Sequence, residues 1–513
     1  MADHTIGDQI PGKAESLWMA TTPGTRYPPL EGDLRVDVAI IGGGIAGLTA
    51  ALLLKEAGRS VAVIESGRVA AGVTGHTTAK VTSLHRLIYR YLIDNFGDGE
   101  ARMYADANQA AIGQIEVLAR RHGISCDYTR KPAYTFAESS ASREKIMDEA
   151  DAARSLGLPA AFVEAVPLPT ETYGAVRFEN QAEFHPRKYL LGLADRIHGG
   201  GCYVLEQTRA IDVKEGEPCR VMAEHGSVTA DDVVLATHYP FHDKPGFYYL
   251  RAYPSRSYVL GVRIDEVFPD GMFINAESPT HSLRMHPDEA GDIVLVTGGD
   301  HRTGQGGDTR EHYRALDAYI RSVYTVRSIE YHWSTQDYIS VDRAPYIGHI
   351  SPGHEHLYVA TGFGKWGMTN GTAAGMILSD LILKRPNSWT DVFAPSRFKP
   401  VTSAKEVIAH GIDVAEGLIG GRLARPSSNV SALPPGRGGI FEVDGHKTAV
   451  YRDMGGGLHA LDPVCPHMGC IVSWNEAEKS WDCPCHGSRY SVDGEVLHGP
   501  AVHGLRKRTI DRG

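Results

Sequence analysis

Four of the chain's seven cysteines fall between positions 465 and 485, interleaved with histidines. The first run is Cys465-Pro-His467-Met-Gly-Cys470, and after twelve more residues comes Cys483-Pro-Cys485-His486-Gly-Ser488. A C-x-H and a C-x-x-H on two loops bring two thiolates and two imidazoles to one point. That donor set suits a [2Fe–2S] cluster in which Cys465 and Cys483 hold one iron and His467 and His486 the other. Neutral imidazole removes negative charge and so raises the reduction potential. Zinc is the competing reading, since it also takes Cys and His tetrahedrally. Structural zinc sites usually present C-x-x-C and a spaced His pair, however, and not C-x-H with C-P-C-H-G-S. The remaining Cys126, Cys202 and Cys219 are scattered, so a local metal site explains the clustering better than a disulfide framework.

A second chemistry lies near the other end. Gly42-Gly43-Gly44-Ile-Ala-Gly47 is a G-x-G-x-x-G that follows the apolar run VDVAIIG and enters the helical pattern IAGLTAALLLKEAG. Glu65 closes the next strand pattern, SVAVIES, eighteen residues beyond Gly47. Strand, glycine turn and helix place a pyrophosphate at a helix N-terminus and a carboxylate on the adenosine ribose. These residues alone leave FAD and NAD both open. Gly362-Phe-Gly364-Lys-Trp-Gly367 repeats the glycine spacing, but Pro386 and a polar loop follow its helix where a second acid-ended strand would be needed. It is not read as a nicotinamide site.

The elements that must position these residues belong to a chain of 513 residues, 42% hydrophobic and 22% charged, with a formal charge of −10. Its mean hydropathy is −0.24. This balance excludes collagen, wholesale disorder and a polytopic membrane protein, and the lack of a basic block argues against nucleic acid as a partner. The start, MADHTIGDQIPGKAESLW, shows no signal or twin-Arg pattern. The most apolar window, Val36 to Leu54, opens on Asp37 and contains four glycines, which fits nucleotide binding better than a membrane span. A cytoplasmic protein without integral membrane association is therefore expected.

Residues 86–156 read as mostly helical, RKYLLGLADRI as a helix, and DDVVLAT and SYVLGVRI as strands. The mixture suits an α/β nucleotide domain interrupted by a mainly antiparallel sheet. Residues 403–423 pattern as an amphipathic helix with Val407, Ile408, Ile412, Ala415, Leu418 and Ile419 on one side. ARPSSNVSALPPGRGG reads as a linker, long enough to permit a mobile C-terminal domain. From Ile440 onward, short strands with turns at Asp444-Gly445 and Asp493-Gly494 indicate a small all-β domain.

Residues 15–395 resemble the D-amino-acid oxidase/glycine oxidase superfamily of FAD-dependent oxidoreductases. The resemblance is carried by VDVAIIGGGIAGLTAALLL, GRVAAGVTGHTTAKVT, AEFHPRKYLLGLA, VVLATH, WSTQDYISVDRAPYIG and LYVATGFGKWGMTNG. About residues 425–513 resemble the Rieske proteins of cytochrome bc-type complexes. Together these imply an α/β FAD-binding Rossmann-like domain with an inserted antiparallel-sheet substrate domain, followed by a small all-β Rieske domain. The expected boundaries are 1–32 for an N-terminal extension, 33–395 for the oxidoreductase, 396–424 for helix and linker, and 425–513 for the Rieske domain. Rieske oxygenases share the four ligands but usually lack the second Cys of each loop.

The resemblance also assigns roles. FAD would be held by Gly42, Gly44, Gly47 and Glu65, by the loop carrying His76 and Thr77, and by Gly364, Trp366, Gly367, Met368 and Thr369 closing over the isoalloxazine. In some relatives, such as dimethylglycine dehydrogenase, a His in a similar loop bonds the flavin covalently; otherwise His76 is a loop residue near the pyrophosphate. Cys470 and Cys485 would form a disulfide between the cluster loops, Ser488 and Tyr490 would donate to cluster sulfurs, and Gly499-Pro500-Ala501 would be the cover loop. Tyr258, Arg284, His301 and Trp333 should form or border the substrate sheet, and Arg284 could hold a carboxylate bidentately. No catalytic residue is assigned, because hydride transfer from an amine needs positioning more than a dedicated base.

Two redox centres on one chain imply a direction of flow. The expected activity is a flavin dehydrogenase oxidising an amine, amino acid or similar small donor. It would pass electrons through the [2Fe–2S] cluster to an external acceptor such as a ferredoxin, cytochrome or quinone. The alternatives are an electron-transfer or reductase component serving a partner protein, and a redox sensor.

Overall fold

In the computed structural model of the protein, residues 9–397, 408–412, 414–415, 418, 421–423, 426 and 429–510 are described. Much of the amphipathic helix expected over 403–423 lies outside these residues; 408–412 and 414–415 are helical.

The described strands form four sheets. An eight-stranded sheet carries the nucleotide half. Gly32–Ile41 runs parallel to Gly226–Leu235 on one side and to Val61–Ile64 on the other, and Leu357–Thr361 and Tyr203–Leu205 extend it outward. Where these strands pair, residues 38–41 and 233–235 and strand Val61–Ile64 are buried apolar runs, as a sheet covered on both faces requires. Ile45–Glu56 leaves the glycine turn and packs on this sheet with Gly367–Ile382. The two helices approach closely because the contact residues are small. A Cβ on Gly375 would sit 2.6 Å from Thr49 Cβ, and one on Gly371 2.6 Å from Ile45 Cγ2.

The second sheet has nine strands and is mainly antiparallel, led by Val326–Ser340, Ala252–Ile264 and Ile293–Arg302. One member departs from the sequence expectation. Thr129–Phe136 is a strand inside the stretch read as helical, pairing with Ala175–Glu183 and Met272–Asn275. Tertiary pairing, with no strong local alternation, makes it a strand. The helices around it, Asp98–Arg121 and Arg143–Ser155, match the periodic segments. The N-terminal segment is also built in. Trp18 is fully buried and its indole donates to the Thr77 carbonyl at 2.6 Å, while the Ser16 hydroxyl donates to that of Gly75 at 2.5 Å.

The C-terminal domain holds a three-stranded sheet over 438–461 and a four-stranded one over 473–498. Among the described residues no helix is long and apolar enough to cross a membrane.

Gly375→Val should lower stability by about 1–3 kcal/mol, the range for overpacking a close contact, because the two helices must move apart. Chemical denaturation would check it.

Candidate functional site

A cavity of about 700 Å³ runs between the two sheets of the N-terminal part. At one end the turn Gly42–Ala46 lines it. Gly42 has φ +118°, and a Cβ there would collide with the Ala236 carbonyl; a Cβ on Gly47 would collide with the Gly42 carbonyl. Gly42 and Gly44 therefore form the wall, whereas Gly47 serves the tight strand-to-helix packing. Glu65 accepts from the amides of Gly43 at 2.9 Å and Gly67 at 2.8 Å, which holds its carboxyl at the cavity wall. Burial raises its pKa against those bonds.

At the other end Gly364, Trp366, Gly367 and Met368 line the cavity where helix Gly367–Ile382 begins. Trp366 stacks on His85 with centroids 4.8 Å apart. Burial pushes His85 down to about 3, so it packs as a neutral ring. Thr369 stands one residue deeper, bonding the Thr82 carbonyl at 3.0 Å, and does not line the cavity. The helix start directs unpaired amides and the positive dipole end toward the cavity, a favourable place for an electron-rich ring edge.

The loop 73–80 supplies a third wall, through Thr74, Thr77, Thr78 and Lys80. His76, expected at the cofactor, is not on this wall. It ends a 3₁₀ turn, its Nδ1 lies 2.8 Å from the Gly72 carbonyl, and its own carbonyl accepts from the Trp333 indole at 2.8 Å.

The four candidate substrate residues do not line the cavity either. Tyr258 is fully buried, its hydroxyl 3.0 Å from His301 Nε2, while Ser257 and Asp300, one position away on the same strands, face the cavity. Arg284 is fully buried: Nη1 donates to the carbonyls of Thr78 and Ala79, Nε to that of Met285 with Glu183 at 3.5 Å, and Nη2 meets His286, so it has no free edge for a substrate carboxylate.

Two lysines that sequence reasoning missed are present instead. Lys365, at φ +73°, places Nζ 2.8 Å from Asp300 and 2.9 Å from the Ser257 hydroxyl. Lys80 donates to the Ser282 hydroxyl, and among the described residues no carboxylate pairs with it. Burial, helped by Arg284, pushes it down to about 7. Both lie inside quoted motifs, but their distant partners left no spacing signal.

The cluster loops lie on the far side of strand Val326–Ser340. Cys470 and Cys485 form a disulfide. The Tyr490 hydroxyl lies 3.0 Å from Cys465 Sγ, and the Ser488 hydroxyl accepts from the Ala501 amide at 3.0 Å. A hydrogen bond from Cys483 holds the Cys465 thiol below its ordinary value against its burial, and Tyr490 adds to this. The two imidazoles sit 4.9 Å apart, nearly perpendicular. His486 Nε2 is 3.2 Å from the Tyr249 carbonyl, which can only accept, and His467 Nε2 is 3.1 Å from Asp243 Oδ2. Each Nε2 therefore carries the hydrogen and each Nδ1 presents a lone pair. Both Nδ1 atoms are buried without a partner. Two orphaned lone pairs beside two buried thiols fit the mixed-ligand [2Fe–2S] cluster.

This domain is docked on the rest of the chain. The Tyr338 hydroxyl donates to the His486 carbonyl and Gln336 Nε2 to that of Gly487, each at 2.9 Å. Glu478 meets Arg256 of the substrate sheet at 3.1 Å and Arg489 of its own domain at 2.8 Å. Burial would raise Glu478, but Arg256 and Arg489 outweigh it and pull the carboxyl down to about 2. His498, Gly499 and Pro500 of the cover loop form part of the cavity wall.

The family description "FAD dependent oxidoreductase" matches residues 37–381, and "Rieske [2Fe-2S] domain" matches 425–508. A Bacillus subtilis (strain 168) protein named as a Rieske 2Fe-2S iron-sulfur protein is 38% identical over 512 residues, 100% of each chain. Glycine oxidase from Geobacillus kaustophilus superposes with a TM-score of 0.58 at 18% identity, over 71% of this chain and 99% of its own. L-proline dehydrogenase from P. horikoshii gives 0.60 at 19%, over 72% and 99%.

Glu478→Gln leaves Arg256 buried beside a neutral partner and should cost about 3–5 kcal/mol, as for a broken buried pair. Because the folded value lies below the ordinary 4.5, this stabilisation is complete above about pH 4.5 and is lost as the pH falls toward 2. Unfolding of the full chain should show that acid slope, and the variant should show a shallower one, since Asp482 and Asp300 are also held below their ordinary values. Glu65→Ala should weaken FAD binding about 10- to 100-fold, read by flavin fluorescence on reconstituting the apoprotein.

Proposed function

The chain belongs to the family of FAD dependent oxidoreductases and ends in a Rieske [2Fe-2S] domain, and on that premise we propose that it is a dehydrogenase. It oxidises a small CH–NH donor, an amine or amino acid, and relays the electrons through its cluster to an external one-electron acceptor. FAD supplies two-electron hydride acceptance, and the [2Fe–2S] cluster supplies one-electron carriage.

The observation that carries this reading is the double use of one strand. Successive strand residues point to opposite faces. In Val326–Ser340, Thr335, Asp337 and Ile339 line the flavin cavity, while Gln336 and Tyr338 bond the backbone of the cluster loop. A protein that used oxygen directly at its flavin would have no need of such a shared wall. Glycine and L-proline, after which the two enzymes of the same fold are named, are both CH–NH compounds.

The chain's own residues prepare the donor side. Ser257, Thr280, Ser282 and Thr297 give the cavity a hydroxyl-lined roof from the substrate sheet. Lys365 is fixed by Asp300 and Ser257, and its amide donates to Asp337 Oδ2 at 2.6 Å. Lys80, at about 7, exchanges a proton readily near neutral pH and would take one from a donor's ammonium group. The cover loop walls the cavity on the cluster side.

Anaerobic mixing of the holoprotein with a panel of amines and amino acids tests the proposal. A donor should bleach the flavin, and the reduced-cluster EPR signal should then grow at a rate independent of protein concentration. If no donor bleaches the flavin while chemical reduction of the cluster does, electrons run inward and the proposal fails.

A further inference from the structure

The outward nitrogens of both ligand imidazoles are capped by one segment of the oxidoreductase part, the stretch between strands Gly226–Leu235 and Ala252–Ile264. The two caps are electrically unequal. His486 Nε2 meets the neutral carbonyl of Tyr249 at 3.2 Å, whereas His467 Nε2 meets the Asp243 carboxylate at 3.1 Å. Asp243 is 4% exposed. Among the described residues its ion-pair partner is His467, and no Lys or Arg neutralises it there. The same Oδ2 lies 3.4 Å from the hydroxyl of Tyr239, a residue of the flavin cavity wall.

We infer that Asp243 is a tuning residue for the cluster: a carboxylate lent by the oxidoreductase domain to ligand His467, which lowers the cluster's reduction potential while the two domains are docked. The sign follows from charge. Reduction adds one electron to the cluster, and a buried, uncompensated anion bonded to a ligand disfavours that added negative charge. The bond also makes the imidazole more basic toward iron, which favours the oxidised state in the same direction. The carbonyl on His486 has no net charge and contributes less. Because Asp243 comes from the other domain, the effect exists only in the docked arrangement. Tyr239 moderates it by drawing on the same oxygen. The inference concerns the cluster's midpoint and does not depend on which donor is oxidised or in which direction electrons run.

The test is a mediated redox titration of the full-length holoprotein at one fixed pH, reading the cluster by EPR and the flavin by absorbance. Asp243→Asn should raise the cluster midpoint, and Asp243→Glu, which keeps the charge, should return it toward the wild-type value. The flavin midpoint should move less than the cluster's in both. Tyr239→Phe should lower the cluster midpoint, since the carboxylate then bonds His467 alone. An unchanged cluster midpoint in Asp243→Asn overturns the inference, as does an equal rise in Asp243→Asn and Asp243→Glu, which would mark a purely structural role. Should Asp243→Asn fail to assemble its cluster, Tyr239→Phe decides. A midpoint unmoved or raised by Tyr239→Phe then refutes it.

Discussion

The organisation of this protein depends on the two-residue period of one β-strand. Strand Val326–Ser340 belongs to the substrate sheet, where its pairing with Ala252–Ile264 fixes the register. Once the register is set, Thr335, Asp337 and Ile339 must face the flavin cavity and Gln336 and Tyr338 must face away. The cluster loop meets the side chains that face away. A slip of one residue would exchange the two sets, removing the hydroxyl and carboxylate from the cavity and the donors from the cluster loop at once. Glycine permits the close approach at this joint. A Cβ on Gly487 would stand 2.6 Å from both Pro254 Cβ and Gln336 Nε2, and one on Gly304 would stand 2.8 Å from the Pro484 nitrogen.

Around this joint the protein buries charge in a way that favours one docked geometry. Arg256 is 1% exposed and Arg489 is mostly buried, and Glu478 lies between them. Asp482 adds a second carboxylate to Arg489 at 3.0 Å. Such a network costs desolvation that its ion pairs only partly repay, so its contribution is better measured as specificity than as stability. Displaced docking would leave a guanidinium buried without its carboxylate. The linker composition permits a mobile domain, but the residues at the joint describe a domain held against the flavin site.

The Cys and His residues that the structure brings together in the C-terminal domain stood out in the sequence because two short loops pack several chemically distinctive residues. The glycine turn was legible for a similar reason: Gly42, Gly44 and Gly47 answer to backbone constraints a few residues away. Roles that depend on distant contacts were not legible. His76 and Trp333 were each plausible by type, yet they bond one another's segment and leave the cavity to Thr77 and Thr335. Arg284 looked like a carboxylate clamp, but the carbonyls of Thr78, Ala79 and Met285 and the His286 ring occupy its donors. Asp243 gave no signal at all, since its partner His467 is 224 residues away. Strand Thr129–Phe136 was missed because its partners, and not its own pattern, make it a strand.

These contacts tie the state of the flavin cavity to that of the cluster. The cover loop that walls the cavity belongs to the same domain as the capped imidazoles, and His498 of that loop reaches His238 at 3.3 Å, which in turn bonds Asp337 at 2.8 Å. Separating the domains would therefore open the cavity to water, strip the carboxylate from His467 and break the Glu478 network in one movement. Undocking loses them together, because all of them span the same joint. A closed cavity and a cluster at its docked potential are thus two aspects of a single conformation, and an agent that stabilises either must stabilise both by the same free energy.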